Sequence, residues 1–304
     1  MIVRSRRVDH AISRYSATWG HGVNLDIEHL ASWIGKSETL TDSVGPTAAA
    51  GLAATLDHAA APEAGDPLPP LWHWIAFNPI VRQSELGPDG HPRRGGFLPP
   101  VPLPRRMWAG GRFDFARPLR VGAPITKIST IRDVRLKEGR TGKLVFVVVE
   151  HVYTDALGTA LTEEHDIVYR EAADPNAPAP APQPAPADAA WTRTVVPDPV
   201  LLFRYSALTF NGHRIHYDLR YATEVEGYPG LIVHGPLQAT LLLELLRQQR
   251  PDAEVATFAF RALRPLFDTA PLTVHGRPAD DGALRLWIAD ADGALAMDAT
   301  ATLR

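Results

Sequence analysis

Apolar and polar residues alternate through Ile125–Leu136, Lys143–Thr154 and Thr159–Arg170, with a shorter stretch of the same kind at Arg112–Phe115. A period of two residues puts every second side chain on one face, which predicts antiparallel strands with one buried side. Lys137–Gly142 and Asp155–Gly158 supply the turns between them. The end of the chain repeats the pattern. Glu254–Leu263, Pro271–Pro278, Ala283–Ala289 and Ala294–Leu303 read as strands, joined by hairpin signals at Asp280–Gly282 and Asp290–Gly293. Trp191–Val196 is a further short β-prone stretch.

Two segments carry a helical pattern instead. Gly45-Pro46 opens an Ala-rich run ending near Asp57, and Gly235-Pro236 opens Leu237–Arg250, which is apolar round most of its circumference. Glycine followed by proline at the first helical position is a start signal, and a helix apolar on most sides must be buried on most sides. Pro70–Phe77 and Pro199–Thr209 predict shorter helices. Each half thus reads as a helix accompanied by antiparallel strands, which implies an internal duplication. Residues 81–106, rich in Pro, Gly and Arg, have no counterpart in the second half, and an insertion of that length is either disordered or functional.

The tract Ala172–Ala190 has proline at nearly every second position and no large apolar side chain, so it predicts a semi-rigid extended spacer. It divides the 304 residues into a domain at 1–171 and a domain at 191–304, each large enough for its own core. Hydrophobic residues at 45% and charged residues at 21% exclude a disordered chain or a coiled coil. A net charge of -3 gives no general attraction to nucleic acid or anionic membrane. The absence of cysteine removes disulfides, thiolate metal sites, iron–sulfur clusters and thiol nucleophiles. No apolar run is long enough to span a bilayer, and the basic start Met1–Arg7 leads into no apolar core of a secretory signal. A cytoplasmic protein is expected.

Candidate chemistry concentrates in Arg204–His216, which places Asn211, His213 and His216 within six residues where a short helix ends. An amide beside a histidine holds a water by two hydrogen bonds, and the histidine can take or return that water's proton. The same residues also suit an ordinary turn. If a strand begins near Gly212, alternation sends His213 and His216 to opposite faces. His213, His216 and His234 are three potential imidazole ligands, but with no carboxylate among them no metal is expected. Gly235 stands at the start of the buried helix, where unsatisfied amides polarise a docked carbonyl as an oxyanion hole does. A plain helix cap is the simpler use of that glycine.

The stretches PPLWHWIAFNPIVRQSELGPDGHPRRGGFLPPVPLPRRMWAGGRFDF, RYSALTFNGHRIHYD and YPGLIVHGPLQATLL resemble the MaoC-like double hot-dog hydratases. Within them they are similar to the group of mesaconyl-C4-CoA (3-methylfumaryl-CoA) hydratases and type 2 3-hydroxyacyl-thioester dehydratases. The resemblance runs from about Leu30 to Leu303. It implies an α+β architecture of two hot-dog folds in one chain, each an antiparallel sheet wrapped round a central helix. It also implies reversible addition of water to a 2-enoyl thioester carried on CoA or acyl carrier protein, with no cofactor. The family motif Asp-x-Asn-Pro-Ile-His is matched by Asn211-Gly212-His213-Arg214-Ile215-His216, with Asn211 in place of the acid. An amide is neither a general acid nor a general base. The resemblance therefore implies that Asn211 orients the water, His216 moves the protons and Gly235 polarises the thioester carbonyl, with His213 and Tyr217 beside them.

The first half is expected to be catalytically silent, since Asp57 is set against Asn211 but Pro62 stands where His216 would be. Its expected role is to shape the acyl pocket. Arg93, Arg94, Arg105, Arg106 and Trp108 are candidates to reach over that pocket, where an arginine would clamp a carboxylate or a CoA phosphate. A solvated basic loop is the plain alternative. Arg261 and Arg264 are further candidates on the CoA side. The expected activity is hydration of a short branched dicarboxylyl-CoA such as mesaconyl-C4-CoA. A 3-hydroxyacyl-ACP dehydratase or itaconyl-CoA hydratase is the alternative within the class. A hot-dog thioesterase and a non-catalytic acyl-thioester binding protein are the alternatives outside it, and a homodimer stays open.

Overall fold

The computed structural model of the chain describes residues 25–139, 142–171, 181–280 and 282–304. The basic start Met1–Arg7 and half of the Pro/Ala tract lie outside them. The first half holds helix α1 (Ile27–Ala31), strand β1 (Ser37–Asp42), helix α2 (Pro46–Thr55) and strands β2 (Arg105–Phe115), β3 (Ile125–Gly139), β4 (Gly142–Asp155) and β5 (Gly158–Arg170). The second holds β6 (Trp191–Val195), α3 (Pro199–Leu208), α4 (Gly235–Gln249), β7 (Val255–Ala262), β8 (Leu272–Pro278), β9 (Leu284–Ala289) and β10 (Leu295–Leu303). Strand β1 escapes the sequence pattern because it is a polar edge strand, SETLTD, with almost no buried position.

All ten strands join one antiparallel sheet in the order β1-β3-β4-β5-β2-β7-β10-β9-β8-β6. The two separate sheets of the sequence reading are thus continuous. Each half contributes five strands in the same relative order, and the halves meet edge to edge where Gly110–Asp114 of β2 pairs with Thr257–Arg261 of β7. Joining these edges satisfies two rows of backbone groups that would otherwise face solvent. Strand β2 begins seven residues before the alternating stretch does, so Arg105, Arg106 and Trp108 stand on a strand rather than in a loop.

Helix α4 is buried at every position from Leu237 to Leu246. Each leucine removed from water there stabilises the fold by roughly 1.5–3 kcal/mol. Helix α2 has ten residues and packs chiefly on α3, so among the described residues the long strands β3, β4 and β5, of thirteen to fifteen residues, have no helix like α4 across their inner face. A second small core, built on Leu30, Val101, Leu103, Ile131, Val145 and Val147, closes the far end of their inner face.

Each half also carries one long excursion, in the first after α2 (56–104) and in the second between α3 and α4 (209–234). The two pack on one another: Arg214 N–H donates to Asp89 O (2.9 Å) and Arg214 Nη1 to Pro88 O (3.0 Å). Helix α2 matches α3 in place and length: each has ten residues and opens on a proline four positions after the first strand of its half, so Asp57, just past α2, stands where Asn211 stands past α3. Of the spacer, Pro184 bridges to Ala294 and Gln183 O accepts from Leu295 N–H, so this part lies along the last hairpin.

Candidate active site

Where the excursions meet the uncovered inner face of β3–β5, they enclose a cavity of ≈ 960 Å³. Asn211, Gly212, Tyr217 and Pro236 line it from the second half, and Phe77, Arg106, Trp108 and Lys127 from the first. No strand begins at Gly212. Residues Arg214–His216 form one 3-10 turn, because Asn211 Oδ1 accepts the His213 N–H (3.0 Å) in an Asx turn that redirects the chain. His213 and His216 are therefore neighbours rather than opposed, their rings edge to face at 5.5 Å.

His216 is 7% exposed. Its Nδ1 lies 2.8 Å from the Ile232 carbonyl, which only accepts, so the proton resides on Nδ1 and Nε2 keeps its lone pair. Burial lowers its pKa to about 4; the bond to Ile232 opposes the shift and the charge of His91 adds to it. The ring is neutral at pH 7, as a base must be. His234 stacks on it at 3.7 Å with Nε2 on Ser206 Oγ (2.8 Å), and burial holds this second ring well below its ordinary pKa. His234 packs and orients His216 and shares no ligand point with it.

Asn211 uses its carbonyl oxygen in the Asx turn, which leaves its NH2 as the donor available to the cavity. Helix α4 starts without a side-chain cap, and Pro236 follows Gly235. A Cβ built on Gly235 meets no atom within 4 Å, so the space before these amides is open. A carbonyl oxygen docked there receives unsatisfied N–H groups at the positive end of a fifteen-residue helix. A base, an amide donor and a helix start thus stand on one excursion and the helix it feeds.

The remaining candidates separate. Arg106 and Trp108 line the cavity, and the Trp108 ring lies tilted against His165, centroids 4.0 Å apart. Arg94 is spent on the carbonyls of Val101, Leu103 and Pro104, and Arg105 turns to Glu226, so neither reaches the cavity; Arg93 is exposed. Arg264 pairs with Asp290 (2.8 Å), and Arg261 is exposed on β7. His213 is pinched between His91 (4.0 Å) and His216, and burial pushes its pKa down to about 2. Tyr217 donates to Gly212 O (3.0 Å).

The sequence reading passes over a polar group on the first half's side of the cavity. Glu163 is 0% exposed; its Oε2 accepts from His73 Nε2 (2.6 Å) and Trp74 Nε1 (3.3 Å), and its Oε1 from Tyr153 OH (3.1 Å). His165 Nε2 approaches Oε1 to 2.6 Å outside hydrogen-bond alignment. Burial opposes the charge on Glu163, but His165 and His73 outweigh it and hold its pKa well below the usual carboxylate range. Among the described residues two groupings offer three donor atoms within 4.8 Å, His151/Glu163/His165 and Asp89/His91/His213. In the first, both carboxylate oxygens are already engaged as described; in the second, Asp89 Oδ2 is held by His91 Nδ1 (3.0 Å).

The model for hydroxyacyl-thioester dehydratase type 2 matches residues 71–268, and both the Asn211–His216 turn and the start of α4 fall within that span. The chain belongs to this family. It is 51% identical over 274 residues to the mesaconyl-C(4)-CoA hydratase of Chloroflexus aurantiacus, covering 90% of this chain and 97% of that protein. It is 28% identical to the mitochondrial hydroxyacyl-thioester dehydratase type 2 of Schizosaccharomyces pombe, over 68% of this chain and 77% of that one. A Mycobacterium tuberculosis structure described as a double hot-dog fold superposes with a TM-score of 0.56 at 15% identity, covering 89% of this chain and 95% of that one. The chain thus has a double hot-dog fold, with both sheets merged. Among the described residues no helix is long and apolar enough to cross a membrane.

One contact inside the candidate site makes a direct prediction. Gly90 has φ +88°, and a Cβ on it would lie 1.8 Å from Gly212 O, one residue after Asn211. Gly90→Ala must push the two excursions apart. Misplacing reacting groups by about 1 Å costs about 10²-fold, so kcat/KM should drop by about that factor while far-UV circular dichroism is retained. Unchanged kcat/KM would show that the packing of the excursions does not set the site.

Proposed function

We propose that the chain is a hydro-lyase that adds water reversibly to the double bond of a short 2-enoyl-CoA bearing a free carboxylate, mesaconyl-C4-CoA being the reference substrate. The observation that carries the reading is the His216 Nδ1–Ile232 bond, which leaves a neutral imidazole with a free Nε2 in the same short turn as Asn211. The named activity of the relative at 51% identity supports the substrate class.

In this mechanism His216 Nε2 takes a proton from a water held by the Asn211 NH2. The water oxygen bonds to the β-carbon, and the π-electron pair moves toward the thioester carbonyl to give an enolate. The helix start at Gly235 stabilises the enolate oxygen, a contribution of roughly 3 kcal/mol per donor in comparable sites. His216 then returns the proton to the α-carbon. Water, substrate and these side chains balance the reaction without an oxidant or reductant. The absence of a carboxylate on Asn211–Tyr217 disfavours attack at the carbonyl itself.

The test follows the enoyl-thioester absorbance band on mixing the full chain with mesaconyl-C4-CoA and, separately, with crotonyl-CoA, alongside a thiol reagent. Loss of the band with mesaconyl-C4-CoA, faster than with crotonyl-CoA and without thiol release, is expected. Thiol release with either substrate would move the protein to thioesterase chemistry. Loss with crotonyl-CoA alone would move it to fatty-acyl dehydration.

A further inference from the structure

In β3 the side chains of Ile125, Lys127, Ser129 and Ile131 share the inner face, and the other three are 0% exposed. A lysine in that row is out of place unless its ammonium has something to meet. Lys127 reaches the cavity, with Nζ over the Phe77 ring at 4.7 Å. Among the described residues its ammonium makes no hydrogen bond and no ion pair.

None of the three acidic groups that act on it pairs with it, and the two on the cavity side are engaged elsewhere. Glu163 is committed to His73, Trp74, Tyr153 and His165. Asp42 accepts the Phe77 and Ser43 amides (2.7 and 2.8 Å). Glu38 lies on edge strand β1 and acts only at a distance. Burial lowers the Lys127 pKa, these three carboxylates opposing the shift. An ammonium withdrawn from water without a counter-ion is unfavourable, and contact with an aromatic face offsets only part of that cost. The cavity is thus built for an anion that arrives with the ligand.

The position suits the chemistry. Asn78 Nδ2 donates to Leu208 O (3.5 Å), which ties the segment carrying Phe77 to the end of α3, three residues before Asn211. In a methylfumaryl thioester the free carboxylate is bonded to the β-carbon, the atom that receives water. A cation that holds this carboxylate also fixes the face of the double bond. We propose that Lys127, from the half without the Asn/His pair, is the residue that binds the free carboxylate of the acyl group and so selects dicarboxylyl thioesters. The proposal rests on the hydratase reading above. Of the other cavity cations, Arg106 hydrogen-bonds Tyr169 of the second core, and Arg214 is held by Asp218 (2.7 Å) and the Pro88 carbonyl, so both are turned away from that role.

The test uses Lys127→Met, which keeps the stem and removes the charge, in the full chain. Its kcat/KM for mesaconyl-C4-CoA should fall by about 10²-fold or more, and that for crotonyl-CoA by less than about threefold. Lys127→Arg should restore part of the loss, and Arg106→Met should affect both substrates alike. Equal losses on both substrates, or a selective loss in Arg106→Met alone, would overturn the assignment. Binding separates its failure from failure of the hydratase reading. Saturated methylsuccinyl-CoA and butyryl-CoA are titrated calorimetrically into wild type and Lys127→Met. A selective loss of methylsuccinyl-CoA affinity supports Lys127 even if wild type turns over neither enoyl substrate, and equal affinities in the two proteins reject it.

Discussion

Replacing His216 by asparagine should lower kcat for hydration by about 10³-fold, within the range of a positioned general base, while the protein stays folded. The asparagine Nδ2 stands where Nδ1 does and can donate to the Ile232 carbonyl, so the buried acceptor keeps a partner, but the amide moves no proton. The readouts are the rate of loss of the enoyl-thioester band and the urea midpoint of the same preparation. A kcat within about fivefold of wild type would remove His216 from the proton path. The pH dependence gives a second handle. With a pKa of about 4 in the free protein, His216 is deprotonated throughout the neutral range. The acid limb of kcat/KM should therefore fall only below about pH 4 to 5, as the base is protonated. A bound acyl carboxylate nearby favours the imidazolium, so the acid limb of kcat should sit at higher pH than that of kcat/KM.

Much of this site is legible in the sequence, and the rest is missed for a definable reason. The Gly235-Pro236 start of α4, its all-round apolar pattern and the paired strands on each side follow from local rules of periodicity and capping. The turn at Asn211 was harder, because Gly212 and the alternation of His213 to His216 imitate the start of a strand. The Asx bond from Asn211 to the His213 amide decides for a 3-10 turn. Lys127, His151, Glu163 and His165 are hidden from such local rules, since each lies within a run that reads as a strand. Yet they occupy the apolar phase of those runs: Lys127 between Ile125 and Ser129, His151 between Val149 and Tyr153, Glu163 after Leu161. Charge in the buried phase of an amphipathic strand is a signal available without a structure. What no local pattern carries is that α2 packs on α3 and no helix like α4 lies across these positions, which turns them from an awkward core into a cavity wall. The joining of the two excursions through Gly90 and Gly212 is equally non-local, because each glycine alone reads as a turn.

Exchanging Glu163 for glutamine should destabilise the fold by about 3–5 kcal/mol, the usual cost of breaking a buried charge pair by removing one partner. That is a large fraction of the stability of an ordinary domain. The amide retains the shape but has one accepting oxygen, so one side of the network, on His73 or on Tyr153 and His165, is left facing an NH2. The loss should also depend on pH. His151, His213 and His216 have pKa values near 3, 2 and 4 in the fold, lowered chiefly by burial from an ordinary 6.5. As pH falls below 6.5 the unfolded chain takes up protons that the native chain refuses. Each such group lowers stability by about 1.4 kcal/mol per pH unit until its own native pKa is reached. Glu163 acts with the same sign but lower: its native pKa lies well below the ordinary 4.5, so its stabilisation is complete above 4.5 and is lost as pH falls further. Urea midpoints at pH 7, 6, 5 and 4 should therefore show Glu163→Gln parallel to wild type and well below it from pH 7 to 5, the two curves converging under pH 4.5. Coincident midpoints at pH 7 would mean that the buried carboxylate contributes nothing to stability, and would leave its contacts with His73 and His165 as a feature of the acyl cavity alone.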